Sequence, residues 1–545
     1  MSVSPSYPGL YIQEVPSSSH AIAPAPTSIA AFVGYVHPYK NPGFDANGLT
    51  PALQLFSFTD YETYFGGLFT SGLTDASLPR AVYQFFLNGG STAYVCGLQP
   101  GLLNGTTVSR LGLGGANITA TLSTTGGKIS FTALEPTDVV PMTLKVINVR
   151  PPSPASGAPL SVFDLVITYG TRVETYRGLQ LPAASPPPKP PPTPDQVVNG
   201  VSSLIQISPA TGGGGWGTAI PSGFAQPAFA FSVTLDLTKP CTGFIAGDYL
   251  PAFAANGPLD NLEIFNLLMT PGVTDNEVVS AAVAFAERKR AFAIIDPPPQ
   301  APAFGVAPPQ PIDSWMTGFG ASGYSLPRSQ NAALYYPYLN STDPITSNVI
   351  PMAPCGFVAG VYAATDASRG VWKAPAGLAT TVLNTTGPVP SGIMNDPQQG
   401  VLNLDSINCL RSFSGIGTVV WGARTTVANN QAFAQSMYVP VRRMTLFIEQ
   451  TLLANLRWVV FEPNDEPLWT AIRSSIESFM LSLFKQGALQ GSTPSQAFQV
   501  KCDSTTTTPD NQQNGIVNIV VAFAPLKPAE FVIIQIAQLA GQTAS

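Results

Sequence analysis

The sequence predicts a mixed α/β and α+β multidomain protein: a central α/β domain with an inserted all-β domain, and a C-terminal α+β domain whose short terminal strands suit addition to a sheet edge of another subunit. Three observations carry this. Strand, helix and strand follow one another near the start and again after residue 260, the order of a layered α/β domain. Between these stretches the texture changes to short Thr/Val/Ile-rich strands separated by turns. The chain then closes with two amphipathic helices and two short apolar strands. The boundaries read as an extended arm at 1–25, the central domain at 26–100 and 240–431, the β-rich insert at 101–239 and the C-terminal domain at 432–545. A length of 545 residues suits roughly three to four ordinary domains.

Taken in order, Pro5, Pro8, Pro16 and Pro24 surround one strand-like piece, Leu10, Tyr11, Ile12, Gln13, Glu14 and Val15. Ile29 to Val36 is an apolar strand, Arg80 to Leu87 a helix stopped by Asn88-Gly89-Gly90, and Ala93 to Gly97 a strand. In the insert, strands fall at Ile118 to Leu122, Ile129 to Phe131, Met142 to Val149 and Ser161 to Tyr169. Pro182 to Pro194 holds eight prolines and one charge, Lys189, which favours a stiff polyproline II spacer over a ligand for an SH3-like groove. Gly212 to Gly215 is followed by Trp216 and no Lys, so it reads as a loop and not a phosphate cradle.

From Asp260 the α/β pattern resumes. Leu262 to Met269 reads as a buried strand. Thr274 and Glu277 have capping-box spacing, and Val278, Ala281, Ala282 and Phe285 form the apolar stripe of a helix that ends on Arg288-Lys289-Arg290. Ala291 to Ile295 is the next strand, stopped by Asp296 and three prolines. In the last unit a helix begins at Pro440 and is followed by a strand, Trp458 to Phe461. A second helix begins at Pro467, with Leu468, Ile472, Ile476, Phe479, Met480 and Leu483 on one face and Gly487 as its stop. Strands at Ile516 to Phe523 and Phe531 to Ile536 close the chain. The arm's strand and the last one are short, apolar and terminal, so each is suited to add to a sheet edge of another subunit.

Composition narrows the function. Only 10% of residues are charged, against about 25% in a typical soluble domain, while 45% are hydrophobic. Such a chain buries large cores and implies a surface covered by neighbours in an assembly, with contacts that resist salt. A net charge of -6 argues against nucleic acid as a partner. No apolar run reaches the roughly 20 residues that span a bilayer, and the start lacks a signal-peptide pattern, so cytoplasmic synthesis is the expectation. The five Cys read as reduced, buried thiols. Only His20 and His37 are available for histidine chemistry, and no CxxC pair, HExxH or GxSxG occurs, so neither a catalytic site nor a metal or other cofactor is expected. Asp296, at a strand's carboxyl end, is the carboxylate around which an α/β enzyme would be built; the alternative is a turn residue before proline. A β-rich adhesin or fibre carried by the insert is a further alternative.

Several blocks together resemble the contractile phage tail sheath family. They are Tyr7 to Val15 (YPGLYIQEV), Pro26 to Gly34 (PTSIAAFVG), Ala281 to Pro298, Pro354 to Pro375 (PCGFVAGVYAATDASRGVWKAP), Val441 to Trp469 and Ala524 to Val532. The resemblance implies a structural subunit stacked as hexameric rings in a helical sheath around an inner tube protein. Baseplate and tail terminator or cap proteins would lie at the ends, in a phage tail or phage tail-like particle. It further implies inter-subunit strands at Tyr11, Ile12, Gln13, Glu14 and Val15 and at Phe531, Val532, Ile533 and Ile534. These would dock near an acceptor strand at Ile516, Val517, Asn518, Ile519, Val520 and Val521. A C-terminal helix would face the tube, for which Arg473, Glu477 and Lys485 on the second helix are the candidates; Arg473 and Glu477, four residues apart, equally suit an internal ion pair.

Overall fold

The computed structural model describes residues 21–535 except 41, 73, 100–101, 105–106, 110–118, 138, 153–160, 184–189, 211–214, 221–227, 231–245, 300–311 and 313–326. The described residues fall into two compact units, a larger one of 28–364 and 375–433 and a smaller one of 21–27, 365–374 and 434–535.

The larger unit is built on β1 (Ala30–Tyr35), β2 (Leu53–Leu55), β3 (Ala93–Leu98), β4 (Leu267–Met269), β5 (Phe292–Ile295), β6 (Ala332–Tyr336), β7 (Ile407–Phe413) and β8 (Gly417–Val420). They form one sheet in the order β2-β3-β1-β4-β5-β6-β7-β8. The strands from β3 to β7 are parallel, and antiparallel β2 and β8 close the edges. Parallel strands are stable only when both faces are covered, and every residue of β1, β5 and β6 is buried. The covering helices are α1 (Phe58–Phe65), α2 (Ser77–Leu87), α3 (Asn276–Arg288), α4 (Cys355–Arg369) and α5 (Asp396–Leu404). Two glycines let α4 lie close on α2. A Cβ at Gly356 would stand 2.3 Å from the carbonyl oxygen of Ala81, and one at Gly360 would stand 2.7 Å from that of Phe85.

Two expectations in this unit are corrected. The capping residue of α3 is Asp275, whose carboxylate accepts the amides of Glu277 and Val278, rather than Thr274; a carboxylate also complements the positive helix end. The strand expected from Leu262 begins only at Leu267, because the preceding segment turns and Lys289 binds the carbonyls of Asp260 and Leu262 at 2.8 and 2.9 Å.

Between β3 and β4 the chain makes antiparallel sheets. One has the order Arg172–Gln180, Val162–Tyr169, Met142–Arg150, Ala228–Ala230; another has Ile205–Pro209, Gly127–Ala133, Thr119–Thr124. Leu122, Ile129, Phe131, Leu144, Phe163, Leu165 and Ile167 share their core. The segment is not wholly β: the proline-rich stretch ends in a helical turn, Pro194–Val198, with Thr193 and Gln196 as its capping box.

The smaller unit contains α6 (Val439–Asn455), α7 (Glu466–Lys485), β9 (Phe498–Lys501) and β10 (Val520–Phe523). The strand expected at Trp458 to Phe461 is instead a 3-10 turn, Arg457–Val459. It pairs with no strand among the described residues, and Phe461 has φ +74°, outside the extended region.

Candidate assembly interface

The apolar row on α7 folds as its spacing requires. Leu468, Trp469, Ile472, Ile476, Phe479, Met480 and Leu483 are all buried, against Met444, Phe447 and Ile448 of α6. Phe447 and Phe479 meet with ring centroids 6.1 Å apart. Asp465 caps α7 by accepting the amide of Leu468, and Gly487 at φ +74° follows its end. Onto these helices the chain lays β9 and β10, antiparallel from Phe498 opposite Phe523 to Lys501 opposite Val520. Phe498, Val500, Val521 and Phe523 face the helices, while Gln499, Lys501, Val520 and Ala522 are exposed. Among the described residues the pair is a two-stranded sheet, continued only by the single bridge Leu489–Pro525.

The sequence-derived acceptor strand is thus shorter than expected. Val520 and Val521 lie in β10, whereas Ile516, Val517, Asn518 and Ile519 form an irregular run. The cause is local: the Asn518 amide donates to Thr507 Oγ1 and its side chain to the Thr506 carbonyl, which hold the backbone away from a ladder. Its partner β9 was missed, although Phe498 and Val500 alternate with Gln499 and Lys501 in the period of a half-buried strand. Beyond β10, Glu530 accepts a hydrogen bond from Tyr438 Oη at 3.1 Å. The next four side chains then stand in solvent: Phe531 is 73%, Val532 80%, Ile533 85% and Ile534 78% exposed. Residues 531–535 form no strand within this chain. Tyr11, Ile12, Gln13, Glu14 and Val15 lie outside the described residues.

On α7, Glu477 and Lys485 are exposed and Arg473 is half-buried. Arg473 donates to the carbonyl of Cys502 at 3.3 Å rather than pairing with Glu477.

The enzyme-like alternatives look different. Asp296 is 2% exposed, with one carboxylate oxygen accepting the Cys355 amide at 2.7 Å and the other the Gly272 amide at 2.9 Å. Burial raises its pKa to about 6 despite those bonds. Both oxygens therefore hold backbone, tying the start of α4 to the turn after β4. The topological switch point, where chain order reverses between β1 and β4, is the usual ligand crevice of such sheets. Here Tyr35, which ends β1, packs edge-on against Tyr249 at 5.6 Å and donates to buried Asp248. His37 is likewise committed: Tyr39 donates to its Nδ1, its Nε2 meets Glu135 at 3.0 Å, and Glu135 also accepts from Arg172. His20 lies outside the described residues. Cys96, Cys355, Cys409 and Cys502 are buried free thiols, and burial holds Cys96 and Cys409 up at about 12. Cys241 is outside the described residues.

Comparison with known proteins gives this arrangement its context. The profile for the phage tail sheath protein central domain matches residues 246–426, and that for the phage tail sheath C-terminal domain matches 430–538. A prophage major tail sheath protein of Pseudomonas aeruginosa strain UCBPP-PA14 is 24% identical over 277 residues, 50% of this chain and 65% of that protein. The tail sheath protein of Burkholderia phage BcepMu is 28% identical over 296 residues, 50% of this chain and 59% of that one. The match thus spans less than two thirds of either relative. The sheath complex of an extracellular contractile injection system, PVC, in its contracted state superposes with a TM-score of 0.55 at 21% identity, covering 98% of this chain and 99% of that one. The helical sheath of the anti-feeding prophage in its contracted state gives 0.53 at 20% identity, with the same coverage. These likenesses establish a shared fold. With the two sheath domains matched across more than half of its length, the chain belongs to the phage tail sheath family, the structural proteins of contractile tails.

Proposed function

We propose that this chain is a noncatalytic subunit that polymerises as stacked hexameric rings around an inner tube, and that contraction of the resulting sheath drives the tube through a target envelope. One observation supports this above others. The exposed apolar segment Phe531, Val532, Ile533 and Ile534 belongs to the same unit as the two-stranded β9–β10 sheet, which no further strand flanks among the described residues. Unpaired edges and a terminal apolar segment are the two halves of strand addition. In this reading the segment 531–534 and the arm strand at Tyr11 to Val15 each join the β9–β10 sheet of a neighbour, so a backbone ladder survives while whole subunits move.

The exposed side of α7, with Glu477 and Lys485, faces the tube; Arg473, already tied to Cys502, contributes less than expected. The β-rich segment 101–239 projects outward as an inserted domain. A baseplate and a terminator or cap bound the cylinder, which is assembled in the bacterial cytoplasm as part of a phage tail or phage tail-like particle. Contracted sheaths among the structural relatives agree with this cycle. The committed hydrogen bonds of Asp296 speak against the enzyme alternative.

The test is negative-stain microscopy of the expressed full chain, which should show long striated cylinders that persist in moderate salt. Ile533→Lys with Ile534→Lys should leave unfolding within about 0.5 kcal/mol of the unaltered chain, as suits exposed positions, yet abolish cylinders. Removal of residues 1–20 should do the same. A monomer under all conditions, or normal cylinders from these variants, would overturn the reading.

A further inference from the structure

The strap ahead of β1 is fastened to α6 at alternate residues. Asn455 pairs with Ala23 in both directions, donating from Nδ2 to its carbonyl at 2.8 Å and accepting its amide on Oδ1 at 3.0 Å. The Ala25 amide donates to Thr451 Oγ1 at 3.1 Å, and Arg443 donates to the Thr27 carbonyl at 2.9 Å. The strap therefore runs antiparallel to the helix, with residue 23 at 455 and residue 27 at 443. Between the fastened residues stand Pro24 and Pro26, which lack an amide hydrogen and restrict the backbone. Ile22 rests against the smaller unit's core. The last fastening is itself held: the Arg443 guanidinium reaches both oxygens of Asp366, at 2.9 and 2.6 Å, with the two side chains 3% and 2% exposed. Past the strap, within the larger unit, the Ile29 amide donates to Asn266 Oδ1 at 2.9 Å.

We propose that Asn455, Thr451 and Arg443 are positioning residues that fix the root of the N-terminal arm on α6. Tension on residues 1–20 then enters α6 and passes through the α6–α7 core to the β9–β10 sheet. The inference rests on the strand-exchange reading above. Bonds spaced along a helix and pulled along its axis share the tension, whereas an arm rooted in β1 would pull on the parallel sheet.

The test uses the full chain carrying Cys241→Ser. In Asn455→Ala with Thr451→Val, which leaves the buried Arg443–Asp366 pair intact, the circular dichroism and unfolding midpoint should be unchanged. Amide exchange at Ala23 and Ala25 should quicken about tenfold, the factor expected for loss of one ordinary hydrogen bond, and cylinders should shorten severalfold. In Ala23→Cys with Asn455→Cys, oxidation should give full-length cylinders and reduction should shorten them. Full-length cylinders from the double variant would overturn the proposal. So would an oxidised clasp that blocks polymerisation, because the strap would then have to leave α6. An unaltered chain that forms no cylinders would instead overturn the assembly reading, and the proposal with it, and is distinguished because it needs no substitution.

Discussion

The larger and smaller units handle the same problem, an apolar sheet in water, in opposite ways. In the larger unit the parallel strands are buried on both faces, antiparallel β2 and β8 close the edges, and the buried carboxylate Asp296 is satisfied by backbone amides. In the smaller unit two strands stand without further neighbours among the described residues, and the apolar segment 531–534 is exposed by 73% or more at each of its four positions. A two-stranded ribbon is marginal alone, so this one relies on the α6–α7 core beneath it. Among the described residues, the first unit has its sheet edges closed by antiparallel strands, whereas the second has a sheet of only two strands.

Three experiments would break or sharpen that contrast. The largest effect belongs to Arg443→Met, which leaves the Asp366 carboxylate buried and alone and should destabilise the smaller unit by about 3–5 kcal/mol. Arg443→Met with Asp366→Leu should recover most of that loss. Tryptophan fluorescence during urea unfolding reads this unit through Trp372, Trp458 and Trp469, and equal damage from the single and double variants would show that the pair acts otherwise.

Next in size is a pH effect confined to the larger unit. Asp296 has its folded pKa raised from 3.8 to about 6. The stability this confers is full below pH 3.8 and is lost as pH rises through about 6, by up to about 3 kcal/mol. The stability of the unaltered chain relative to Asp296→Asn should therefore fall between pH 4 and 6.5 in urea titrations; a flat difference would mean that the two amides hold the carboxylate ionised. The smallest effect is at Phe461, fully exposed with φ +74°. Phe461→Asn, which accepts that backbone region at less cost, should stabilise the smaller unit by about 1 kcal/mol, read from its urea midpoint.

What could be read in advance follows the same division. Strands and helices of the larger unit announce themselves because they are locally periodic and bounded by proline, glycine or caps, as in α2, α3 and β5. The helices of the smaller unit were legible for the same reason. Errors gathered where a strand's existence depends on a partner: Trp458 to Phe461 has strand composition but no strand to pair with among the described residues, and Ile516 to Ile519 is drawn off by Thr506 and Thr507. The short β9 carried its pattern in four residues and was overlooked. The strap's fastening to α6 had no local signal, since it joins residues more than 400 positions apart.

That separation also sets a clock. Ala23 meets Asn455 across 432 residues, which at about 5–20 residues per second take roughly 20 to 90 s to synthesise. Throughout that time the earliest part of a nascent chain has no helix to fasten to. Ala23 and Ala25 gain their hydrogen-bond partners only once α6 has emerged, so this strap is among the last pieces of the chain to be ordered although it is among the first to be made.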